Sequence, residues 1–257
     1  FSSGALAALP LALSLLEEAK KLGTTLEHDS FFTKSPITKN GEISPNAVSR
    51  IITGRDSLGL QDAKRLLMSI VSEKDFVRYK QDLSLPDIYV GTVNFDTGLR
   101  EVFRLRDFNY NDALDRIEAS CRIPIMVQPQ LLGKQNHRYY DGGVCDHNLA
   151  SYFIDSHPNL PVSELVSVFS RPENFYVNGS YKGKGLFAVI ERLLEITNIE
   201  ISKGDERLER SLSVERNFKL TQIFLPKIMQ SVYDVDNVRL NQLLTESITI
   251  ADDTYSV

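Results

Sequence analysis

Two cysteines, Cys121 and Cys145, are all that this 257-residue chain carries. That is too few for a disulfide framework, and both read as buried thiols. No apolar run approaches the ~20 residues that a membrane-spanning helix needs. The nearest, 5–16, contains Pro10 and has no basic segment before it, so it lacks the layout of a secretion signal. No basic stripe offsets the formal net charge of −5, which argues against nucleic-acid binding. No pair of His or Cys residues has metal-ligand spacing, and no internal repeat marks a solenoid. What remains, 42% hydrophobic and 25% charged residues, suits a globular domain with a sizeable core.

The apolar periodicity alternates between helix and strand. Residues 4–22 read as a helix that is apolar on nearly all sides, kinked by Pro10 and closed by Gly23. Residues 24–59 are punctuated by Ser35-Pro36, Asn40-Gly41 and Ser44-Pro45, and suit a lid or lipid-facing surface, with Phe31 and Phe32 at a cleft rim or anchoring the loop. A helix is expected over 60–79. Strands at 88–93 and 100–105 are joined by a turn at Asp96-Thr97-Gly98. A helix over 111–120 should stop before Pro124 and be followed by a brief strand at 125–127. Further on, strands are expected at 165–169 and 219–225, and helices at 183–196, 205–218 and 235–252. The charge run 203–216 reads as a solvated helix face. Asn178-Gly179-Ser180 is a formal glycosylation sequon. Alternating strands and helices indicate a layered α/β domain.

Two stretches carry chemistry. Phe1-Ser2-Ser3-Gly4-Ala5, ahead of an apolar helix, matches the right-hand part of a G-x-S-x-G nucleophile elbow. Crowding around such a serine tolerates only very small side chains two positions away, which Gly4 satisfies, and the helix N-terminus favours developing negative charge. Ser2 is the candidate nucleophile, and Ser3 supplies a backbone N–H. The same residues also suit a capped core helix. The second stretch is Tyr140-Asp141-Gly142-Gly143-Val144, where an aspartate before two glycines can point inward from a turn or form a surface Asx turn. His147 offers a rival base in a triad, but it follows Asp141 too closely to be oriented by it. His28, His137 and His157 sit in polar, loop-like contexts.

Together with Ala119-Ser120-Cys121-Arg122-Ile123-Pro124, Pro129 and Asn148, these motifs resemble the patatin-like phospholipase family, in the order elbow, A-S-x-x-x-P, D-G-G. The similarity extends through 88–98, 202–205 and 225–236. The resemblance implies a three-layer α/β/α sandwich around a mixed central sheet, with 1–257 as a single catalytic domain. It implies a lipid acyl hydrolase of phospholipase A type, with Ser2 as nucleophile and Asp141 as base, no cofactor and no metal. Its partners are a phospholipid or other acyl-ester substrate and a transient membrane surface, with a cytoplasmic or membrane-peripheral location favoured. Family members carry a first strand and a glycine-rich oxyanion loop ahead of the elbow, and neither precedes Phe1, so an internal portion of a longer polypeptide is expected. The alternative is a catalytically silent interaction module of the same fold, part of a larger host-targeted effector.

Overall fold

The turn at Asp96-Thr97-Gly98 closes a hairpin at the centre of the first part of the chain. In this computed structural model, residues 2–15, 17, 18, 20, 32–38, 43–145, 149–169, 186–224, 242, 245, 246 and 249 are described. β3 (Tyr89–Asn94) and β4 (Leu99–Arg104) pair in unbroken register from Tyr89 opposite Arg104 to Asn94 opposite Leu99. The tight return needs positive φ, which Gly98 supplies at 73°. The Asn94 side-chain oxygen accepts the Asp96 and Thr97 N–H groups at 3.1 and 3.3 Å, closing the turn from inside.

The described chain is mixed α/β and divides into two compact units, Phe1–Cys145 and Asp146–Val257. In the first, β1 (Phe32–Lys34) and β2 (Leu60–Gln61) form a small antiparallel ladder. β5 (Gln130–Leu132) and β6 (His137–Asp141) complete a four-stranded antiparallel sheet in the order β4-β3-β6-β5. The helices are α1 (Ser2–Ala12), α2 (Pro45–Ile52), α3 (Ala63–Met68), α4 (Glu73–Gln81) and α5 (Tyr110–Ala119). Leu9 and Leu13 of the α1 segment, Phe76 and Tyr79 of α4, and Leu114 and Ile117 of α5 share one core with Ile88 and Val90. Each such side chain contributes roughly 1.5–3 kcal/mol by leaving water.

In the second unit, β7 (Glu164–Phe169) and β8 (Lys219–Phe224) are parallel, as a connection through the long helix α7 (Leu186–Arg216) allows. α6 (Ala150–Ser156) joins them through Ile154, which packs with Leu212 and Phe218.

Several elements depart from the periodicity. α1 stops at Ala12, not near 22. Ser14 takes φ 59°, Leu15 N–H reaches Pro10 O at 2.9 Å and Ser14 N–H reaches Leu11 O at 3.0 Å, which is a Schellman ending built without glycine. Helical residues resume at Glu17, Glu18 and Lys20, and Gly23 lies outside the described residues. The helix expected over 60–79 is two, because Ser72 and Asp75 form a capping box that starts α4 afresh. The strand expected at 125–127 is a turn with Ile125 at φ 71°, and the pairing strand is β5 instead. The two helices expected within 183–218 are one, since α7 runs through Gly204. The sequon, 225–236, Phe31, His28, His147 and Asn148 lie outside the described residues, as does most of 235–252, where Gln242, Thr245, Glu246 and Thr249 are helical.

Candidate functional site

β6 delivers the site's one described carboxylate. Its Tyr139 and Tyr140 side chains alternate across the sheet and are both buried. Tyr139 O–H donates to Glu101 Oε2 at 2.9 Å, and burial with that carboxylate pushes its pKa up to about 12. Tyr140 packs edge-on to Phe95, with ring centroids 5.1 Å apart. Asp141 is the last residue of the strand, opposite Thr92 of β3, and only 7% exposed. A short 3-10 turn, Gly142–Val144, follows at once, and Gly143 N–H donates to Asp141 Oδ1 at 2.8 Å. The D-G-G sequence is therefore an Asx-type turn whose aspartate is buried while its far end reaches the surface. The turn fixes the rotation of the carboxylate with a main-chain donor.

The second motif meets the first directly. Asp141 N–H donates to Arg122 O at 2.8 Å, so the segment after α5 runs beside the end of β6. Ser120, fully buried, donates its hydroxyl to Gly91 O of β3 at 2.8 Å. Ser120 and Arg122 thus stitch Ala119 to Pro124 onto two neighbouring strands. Cys121 lies between them, in the same core as Ala5 and Leu9 of α1. Burial, reinforced by the Asp141 charge, pushes its thiol well above the usual range. Cys145 is exposed, contrary to the expectation of two buried thiols, and neither cysteine is in a disulfide. It caps the end of the 3-10 turn, outside the core that buries Cys121.

Ser2 and Ser3 are the first two residues of α1, and their side chains lie outside the described ones. Gly4 is exposed, and a Cβ built on it meets no heavy atom within 4 Å. Among the described residues, then, the crowding expected two positions after Ser2 is absent. The motifs of Ser2 and Asp141 lie in the same unit, and α1 shares a core with the 119–124 segment through Ala5, Leu9 and Cys121. His137 opens β6, four residues before Asp141 and 3.7 Å from Asp96, and His157 stacks on Phe153. Among the described residues no group of three His, Cys, Asp or Glu side chains is placed to hold a metal ion. No described helix is long and apolar enough to cross a membrane.

One feature of this region escapes the motifs. Glu118 and Arg122 form a buried ion pair of 2.7 Å, and the other Glu118 bonds come from Ala63 and Lys64 N–H at 3.2 and 2.7 Å. The carboxylate thereby caps α3, and the guanidinium also donates to Gln128 O at 2.9 Å. Burial raises the Glu118 pKa and lowers that of Arg122, against the attraction between them. The four-residue spacing of Glu118 and Arg122 at the end of a helix was the available signal. Set against known proteins, the chain matches no family model and no curated protein.

Proposed function

We propose that the chain is a patatin-like lipid acyl hydrolase with a Ser2–Asp141 dyad and the family's three-layer α/β/α architecture around a mixed sheet. The observation that carries the reading is the junction of the two downstream motifs. Asp141 N–H bonds to Arg122 O at 2.8 Å, and the carboxylate is buried at the strand end and oriented by Gly143 N–H. A surface turn has no use for a buried acid, whereas a base that must accept a serine proton gains from reduced hydration.

In this reading Asp141 takes the proton as Ser2 Oγ attacks the ester carbonyl. The C–O bond to the leaving alcohol breaks, the proton passes to that alcohol, and an acyl-serine remains. Water activated by the same carboxylate then attacks the acyl carbon and releases the fatty acid. Ser3 N–H contributes to oxyanion stabilisation. No cofactor enters the chemistry. The second reading, a silent interaction module of the same fold, draws on the open space around Gly4.

An active-site fluorophosphonate followed by intact-mass spectrometry separates the two. A single adduct on the wild-type chain, lost in Ser2→Ala and slowed in Asp141→Asn, is the expected result. No adduct on the folded wild-type chain would favour the silent module.

A further inference from the structure

One corner of the first unit combines two features that the dyad does not use. The first is α2, whose N-terminus is well made: Ser44 accepts Ala47 N–H at 3.1 Å, and Pro45 stands in the first turn. Its apolar residues fall on one face, yet only Ala47 of that face is buried. Val48, Ile51 and Ile52 are 45%, 56% and 78% exposed. Soluble surfaces rarely gather three large aliphatic side chains on one short helix face without a partner.

The second feature is a cleft of about 420 Å³ along the other flank of the same helix. Lys34, Arg50 and Arg55 line it, with Asp56 the acid among them, in a chain whose overall charge is negative. Arg50 is held in place by its Nε–H to Ser57 O at 2.7 Å and its Nη2 to Ser57 Oγ at 2.8 Å. Among the described residues Arg50 Nη1 has no hydrogen-bond partner, and Lys34 and Arg55 have no ion-pair partner. The cleft adjoins a close approach at Gly59, between the lining residues Ser57 and Leu60, where a Cβ would stand 2.6 Å from Lys34 O and 2.7 Å from Pro36 Cδ. Its far wall is Gln128, whose carbonyl accepts from Arg122, the residue that also binds Asp141 N–H.

We propose that this corner is the surface by which the protein docks on an anionic phospholipid bilayer, with Val48, Ile51 and Ile52 entering the acyl boundary and the Lys34, Arg50 and Arg55 cleft taking a headgroup phosphate. The inference deepens the lipid-hydrolase reading and rests on it. An amphipathic helix flanked by cations binds such a surface by apolar burial plus attraction to anionic lipid, and the second part is screened by salt. Apolar exposure without cations would suit a protein partner equally; the cation-lined cleft beside it favours lipid. Two hydrogen bonds, Arg122 to Gln128 O and Asp141 N–H to Arg122 O, link the cleft to the strand end that carries Asp141.

Vesicle co-sedimentation tests this on the whole chain. Vesicles of phosphatidylcholine alone are compared with vesicles one-third phosphatidylserine, using wild type, Ile51→Ser/Ile52→Ser and Lys34→Glu/Arg55→Glu. Hydrolysis of a water-soluble short-chain ester is measured in parallel, and circular dichroism checks the fold. Wild type is expected to bind the anionic vesicles and to be released near 0.5 M salt, where the screening length falls to about 4 Å. Both variants should lose at least tenfold in binding while hydrolysing the soluble ester like wild type. Failure of wild type to bind, indifference to phosphatidylserine, or folded variants that bind like wild type would each overturn the docking surface. Variant-sensitive binding by a chain without esterase activity keeps the docking surface and removes the hydrolase.

Discussion

Each end of β6 is served by an arginine–carboxylate pair of similar length, and the two pairs do different work. At the start of the strand, Arg138 holds Asp96 of the hairpin turn at 2.5 Å, in a setting open to water. At the other end, Arg122 and Glu118 meet at 2.7 Å with side chains only 7% and 3% exposed. The exposed pair costs little to desolvate and gains little. The buried pair has surrendered its hydration, and so depends on every bond it makes. Geometry alone does not distinguish them; burial does. The buried pair is also the one whose backbone carbonyl is bonded to the proposed catalytic aspartate, so its integrity bears on the site.

The largest effect should come from breaking the buried pair on one side. Arg122→Met leaves Glu118 charged in the core and is expected to cost about 3–5 kcal/mol, read as a fall in Tm and in denaturation midpoint. The double change Glu118→Gln/Arg122→Met should cost less than Arg122→Met alone, because the carboxamide oxygen still accepts an α3 amide and no charge is stranded. A double variant less stable than the single one would mean that the pair's charge is not the issue.

The two acids should also titrate in opposite senses. The hydrogen bonds from Arg138 hold Asp96 below its ordinary 3.8, so its contribution is present above that value and is lost as pH falls through the lower folded value. Burial holds Glu118 above its ordinary 4.5, so its contribution is complete below 4.5 and is lost as pH rises through the higher folded value. In thermal melts against pH, Asp96→Asn should flatten the acid limb and Glu118→Gln should flatten the decline above 4.5. Slopes altered in the same direction would contradict the comparison. The smallest effect is expected for Arg138→Ala, a change in Tm near the scatter of the measurement that vanishes in high salt.

The difference between the two ends also shows what was legible. The hairpin was, because its signals are local: alternating strands and a Gly98 turn within a dozen residues. The turn after Asp141 was, through Asp141-Gly142-Gly143, and the start of α5 was to within one residue, but β6 itself was not expected as a strand. The Glu118–Arg122 pair was not singled out, because its meaning comes from α3, whose amides arrive from more than fifty residues away. The punctuation misled wherever tertiary packing outweighed it. Gly204 is tolerated within α7 at a cost of about 1 kcal/mol, while Ser14 ends α1 with no glycine at all. The gap between Ser69 and Ser72 is hard to see because Leu67 and Val71 keep an i, i+4 spacing into it, and both are buried.

The dyad itself is tested most directly by fatty-acid release from phospholipid in mixed micelles, comparing wild type, Ser2→Ala and Asp141→Asn, with thermal melts confirming that each chain is folded. The proposed mechanism predicts release by wild type and a loss of roughly 10³-fold or more in kcat for either variant, with little additional loss when the two are combined. Release that persists undiminished in folded Ser2→Ala or Asp141→Asn would contradict it.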